Sequence, residues 1–137
     1  MVSYHGFADG ASRHTQNLAS AALVTYSPTD ELITSGGIFL GPVTNNIVEY
    51  QAIIGLMTEA LSSGISHLVI HLDSQWVVSQ LNGTYSIHDT TPLHFFRRIC
   101  ILESSFEFIR YYYVPRKFNK IVDLLENFIL DLHLSHS

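Results

Sequence analysis

"LVIHLDSQWVVSQL", residues 68 to 81, decides how the chain folds. Its opening run, Leu68 to Leu72, is almost wholly apolar, the pattern of a strand covered on both faces, and it ends on a bare carboxylate, Asp73. Directly afterwards "WVVSQLNG" reads as a short helix closed by Gly83. Isolated buried charge is expensive, so an acid at a strand tip is solvated, caps the next helix, or holds a metal. The stretch alone leaves all three readings open.

Upstream, "VSYHGFADGAS" alternates partly and stops at Asp9-Gly10, which reads as a strand followed by a turn. "LASAALVTYSP" and "ELITSGGIFLG" are two more strands joined by a turn at Ser27-Pro28-Thr29-Asp30, so residues 2 to 40 form a three-strand antiparallel meander. From Thr44 to Ser63 the period becomes helical: Tyr50, Ile53, Ile54, Met57 and Leu61 mark the apolar stripe, Thr44 or Asn45 is the cap, and Gly64 the stop. Downstream, "TYSIHDTTP" is a loop and "PLHFFRRICILESS" a helix begun by Pro92. "FEFIRYYYVP" alternates as a strand ended by Pro115, and "NKIVDLLENFILDL" is an amphipathic helix with Ile121, Leu124, Leu125, Phe128 and Leu132 on one side. The order is β-β-β-α-β-α-α-β-α. It gives an α/β fold: a mixed five-stranded sheet, three antiparallel then two parallel strands, with helices on both faces.

Composition bounds what such a fold does. At 137 residues the chain fits one domain, residues 1 to 137 with the last few as a flexible tail. Being 47 % hydrophobic and only 14 % charged, it reads as a packed globular protein rather than a disordered one. The one cysteine, Cys100, excludes a disulfide framework and reads as a small buried hydrophobe. No apolar stretch approaches the roughly 20 residues of a membrane span and the N-terminus lacks a signal-peptide core, so the expectation is a soluble chain in the cytoplasm or nucleus, not secreted. Net charge is −5, which argues against a nucleic-acid partner unless several acids gather around cations.

Four acids fit that exception. Ligands of open sheets sit beyond the carboxyl ends of the strands, and Asp9 and Asp73 would lie about 5 Å apart there if their strands pair in parallel. Glu49 is one turn into the first helix, and Asp123 lies in the first turn of the last, four residues after Asn119. Singly, each has a plain role: an Asp-Gly turn for Asp9, a helix cap for Asp73, a solvated first-turn acid for Glu49, a polar helix face for Asp123. Together they would repel unless cations neutralise them, and hard oxygen ligands select magnesium or manganese.

With "ADGAS", "TNNIVEYQAI", "HLDSQWVVSQLNG" and "YVPRKFNKIVDLLEN" in this order, the chain resembles the type 1 ribonuclease H superfamily over about residues 3 to 130, in the branch found in plant, retroelement and some archaeal sequences. The resemblance implies that Asp9, Glu49, Asp73 and Asp123 bind two magnesium ions, with manganese as a substitute, and that the chain cleaves the RNA strand of RNA/DNA hybrids. It further implies hybrid contacts by the Gly10 backbone, Asn45, Asn46, Gln75 and Arg116, with the 2′-hydroxyls marking the RNA strand. A monomer is expected, free-standing or part of a larger polyprotein.

The chain departs from the family in three places. "PRKFN" is too short for the histidine that helps product leave many ribonucleases H, so Arg116 or Lys117 would stand in. The basic helix and loop of some relatives are missing from "TYSIHDTTPLHFF", which implies weak hybrid affinity, and "RHTQNLASAA" replaces the usual glycine-rich stretch after the first strand. None of His5, His14, His67, His71, His88, His94, His133 and His136 shows a metal-ligand spacing. The rival readings are a non-catalytic module of the same fold that binds nucleic acid or protein, and a 3′–5′ exonuclease or DNA-cutting nuclease.

Overall fold

The structure, a computed structural model, describes residues 2–13, 18–41, 45–83 and 90–121; the helix expected around Asp123, residues 84–89 and the tail lie outside them. Strands β1 (Tyr4–Arg13), β2 (Leu18–Tyr26) and β3 (Leu32–Gly41) form the expected meander. Helix α1 (Asn45–Ser62), strand β4 (His67–Leu72), helices α2 (Gln75–Leu81) and α3 (Thr90–Glu103), strand β5 (Phe108–Tyr113) and a 3-10 turn (Arg116–Phe118) follow. The sheet order is β3-β2-β1-β4-β5, antiparallel across β1, β2 and β3 and parallel across β1, β4 and β5. The mixed sheet with packed helices inferred from the sequence is therefore present.

Alternation along β4 explains why it is an interior strand, between β1 and β5. Leu68, Ile70 and Leu72 are fully buried beneath α1, while His67 and His71 on the other face are half-buried. Against them α1 lays Tyr50, Ile53, Leu56, Met57 and Ala60, a stripe wider than the sequence suggests, and Ile99 of α3 closes the same core. At the opposite face a smaller cluster joins Phe7 and Val24 to Ile121, the second residue of the next helix, so helical residues meet both sides of the sheet. Gly64 at φ 78° and Gly83 at φ 79° hold the left-handed conformation that stops α1 and α2, as their positions predict.

Four expectations need correction. Strand β1 does not turn at Asp9-Gly10: it runs to Arg13, because β2 is long enough to pair with it throughout, Asp9 opposite Ala22 and Gly10 opposite Ala21. Helix α3 starts at Thr90, with Pro92 inside its first turn. Cys100 is exposed, because Ile99 takes the inward position and the next residue lies about 100° further round the helix. Asp73 does not cap α2: the helix begins at Gln75, and Ser74 is the cap, its Oγ accepting the Val77 N–H at 3.3 Å.

The edge strand β3 is uncharged along its whole length. Register shifts interrupt its ladder to β2 between Ala19 and Ser20 and between Thr25 and Tyr26, leaving Thr34 to Phe39 as the regularly paired portion.

Candidate active site

Strands β3, β4 and β5 all run in the direction of β1, so their carboxyl ends gather at one edge of the sheet. The first turn of α1, the link from β4 into α2, and the 3-10 turn after β5 all start from that edge. Three segments far apart in sequence thus bring Asn45, Asn46 and Glu49, then Asp73 and Gln75, then Arg116 and Lys117 to the same end of the molecule.

Register places the two strand acids. Ala8 of β1 is the partner of Leu72 in β4, so Asp9 and Asp73 follow at the next level of adjacent parallel strands, about 4.8 Å apart in the pairing direction. One step earlier on the same alternation, the Phe7 and His71 rings stack with centroids 4.6 Å apart. The parallel ladder to β1 ends at Leu72, whereas on the other side the Val114 N–H still donates to the Leu72 carbonyl at 2.8 Å. Asp73 is therefore anchored through its backbone neighbours, and among the described residues no hydrogen bond or ion pair engages its carboxylate.

Glu49 is half-buried in the second turn of α1, with Val48 and Tyr50 buried on either side of it. Tyr50 donates its hydroxyl to Oε1 of Gln80, which is itself buried on α2, and burial pushes the Tyr50 hydroxyl up to about 12, so it stays a neutral donor. Gln75 and Arg116 are exposed, as contacts to a large ligand require. Lys117 is exposed too, with its ammonium 5.0 Å from the Phe118 ring centre. Asn45, Asn46 and Gly10 have described backbones, in α1 and β1.

The helix expected to carry Asp123 starts where the sequence places it. Asn119 caps it, Oδ1 accepting the Ile121 N–H at 3.0 Å. Lys120 then reaches the β2–β3 turn, where its Nζ bonds Asp30 at 2.7 Å and lies 4.6 Å from the Tyr26 ring centre. The Lys120 ammonium holds the Asp30 carboxyl below the usual carboxylate range. Asp123 lies outside the described residues. Among those residues no three His, Cys, Asp or Glu side chains form a metal-binding group, so the register supports the pairing of positions 9 and 73 but not a complete cage.

Sequence reasoning passed over three devices: the Ser74 cap, the Tyr50–Gln80 bond, and the tie from Lys120 to Asp30. Only Ser74 had a local signal, a serine directly before a helical run. The other two join residues that have nothing in common along the chain.

Comparison with known proteins agrees with this architecture. The family described as reverse transcriptase-like matches residues 7–128. Ribonuclease HI of Halobacterium salinarum is 32% identical over 93% of this chain, which spans 64% of that relative's length. A bifunctional protein of Mycobacterium tuberculosis is 30% identical over 90% of the chain, which spans 34% of it. Among solved structures, RNase H1 of Halobacterium salinarum superposes with TM-score 0.81 at 31% identity, covering 85% of this chain and 89% of that one. The N-terminal RNase H domain of the mycobacterial protein superposes with TM-score 0.84 at 27% identity, covering 100% of both chains. Among the described residues no helix is long and apolar enough to cross a membrane. With the fold, register and family match in agreement, the chain belongs to the reverse transcriptase-like family of the type 1 ribonuclease H superfamily.

Proposed function

We propose that the chain is a metal-dependent endonuclease that hydrolyses the RNA strand of RNA/DNA hybrids. The observation that carries the reading is Asp73: it stands level with Asp9 at the end of the parallel ladder and is relieved of capping by Ser74. The donor set suits a hard divalent cation, since Asp9, Glu49, Asp73 and Asp123 offer only carboxylate oxygens, and these four would hold two magnesium or manganese ions. Magnesium there would supply an activated water and stabilise the leaving 3′ oxygen.

The residues around them orient the substrate. Asn45 and Asn46 at the start of α1, the Gly10 backbone on β1 and Gln75 at the start of α2 are the proposed contacts to the hybrid, reading 2′-hydroxyls across its shallow minor groove. Arg116 binds substrate phosphate, and it or Lys117 eases product release in place of a histidine. We read residues 1 to 137 as one ribonuclease H-like domain that acts inside the cell, as a monomer or within a larger polyprotein.

Labelled hybrid incubated with magnesium tests the proposal. Cleavage to 5′-phosphate and 3′-hydroxyl ends is expected, and Asp73→Asn is expected to lower the rate about 100-fold or more. No cleavage by the unmodified chain, or an unchanged rate in the variant, overturns it. The net charge of −5 favours a second reading, a module that binds without turnover, and the same assay with a gel-shift arm separates the two. Duplex DNA and single-stranded RNA as substrates distinguish a hybrid-specific enzyme from another nuclease of this fold.

A further inference from the structure

Helix α2 is only seven residues long, Gln75–Leu81, well below the length at which a helix holds itself together in water. Val77 and Val78 pack it into the core, and Gln80 is the third residue it buries. Gln80 is 5% exposed and Tyr50 is 0% exposed, among neighbours that are almost all aliphatic. Burial takes water from the Tyr50 hydroxyl, and the bond it donates to Gln80 Oε1 compensates for that loss. A leucine and a phenylalanine would fill the space with no such loss.

The position of the pair shows what the bond does. Tyr50 is the residue after Glu49, on the long helix α1. Gln80 lies in the last turn of α2, whose cap, Ser74, directly follows Asp73. Contacts between α1 and α2 are otherwise sparse, while α1 is packed firmly along β1 and β2. We infer that the Tyr50–Gln80 hydrogen bond is a positioning device that fixes α2 against α1 and thereby sets the separation of the Glu49 and Asp73 carboxylates for divalent-cation binding. The inference rests on the metal-dependent reading above. Hydrophobic packing alone would let a two-turn helix slide or rotate by a fraction of an ångström, whereas a directional bond between buried partners does not.

Two variants separate positioning from mere stability. Tyr50→Phe leaves the ring in place but strands the Gln80 carbonyl oxygen, so it should lower both the urea midpoint and the affinity for manganese measured by calorimetry on the intact chain. Tyr50→Phe with Gln80→Leu removes both polar groups together, which restores much of the midpoint. The expected result is that manganese affinity stays reduced, about 3- to 10-fold, in the double variant even though its stability has recovered. The manganese concentration for half-maximal hybrid cleavage should rise by the same factor. Affinity that recovers in step with stability, or that is unchanged in both variants, overturns the positioning role. Failure of the unmodified chain to bind manganese or cleave hybrid overturns the functional reading instead, so the two failures are told apart.

Discussion

Strands β1 and β4 lie side by side in parallel and bring Asp9 and Asp73 to one level, yet they hold their acids by opposite means. Beyond Asp9, β1 continues to Arg13 with β2 paired along it, so the backbone at that acid is fixed by a continuous ladder. Beyond Leu72, β4 stops, and Asp73 stands on a link between strand and helix. What steadies it comes from its neighbours: the Leu72 side chain in the core, the bond from Val114, the Ser74 cap and the Gln80 anchor. One acid is held by sheet and the other by packing and caps, so substitutions around them should behave differently.

The largest expected effect is the loss of hybrid cleavage in Asp73→Asn, and the contrast sharpens if the variant's urea midpoint is unchanged or higher, since an acid has left a repulsive cluster. Next comes the core beneath β4. Leu72→Ala should cost about 2 to 5 kcal/mol in urea unfolding, because a fully buried side chain is removed, whereas its partner at the same level of β1 is already Ala8.

pH separates the strands further. Burial, with His5 and Lys120 nearby, lowers His71 from 6.5 to about 4, so the folded chain keeps the ring neutral where the unfolded chain protonates it. More protons on the unfolded state means that stability falls as pH drops from 6.5 towards about 4, with no contribution from this group above that window. Urea titrations at stepped pH should show that slope, and His71→Phe should flatten it. Smaller still, Ser74→Ala should cost about 1 kcal/mol, with Ser74→Asp recovering most of it. Lys120→Ala should give the smallest change, one that fades in high salt, because its bond to Asp30 is at the surface.

Much of this was legible in the chain. Alternation and turn residues located the meander, the 3.6-residue stripe located α1, and the apolar run before Asp73 identified an interior strand. Three kinds of feature were hidden. Asp9-Gly10 is a turn signal by local chemistry, and only pairing with a distant strand overrides it. Asp73 and Ser74 are adjacent residues that both favour a cap, and a one-residue choice between them depends on where the strand ends. Tyr50 reads as one more member of an apolar stripe, and its hydroxyl has meaning only once α2 is folded against it.

The interruptions in β3 bear on how readily a further strand could add to the open side of that edge. Proteins commonly guard an open sheet margin with lysines, a defence that weakens as salt accumulates. Here the margin has no charge at all, and its guard is shape: irregular backbone at either end leaves just Thr34 to Phe39 in regular array. Such a barrier against strand-by-strand accretion should work as well in brine as in dilute buffer.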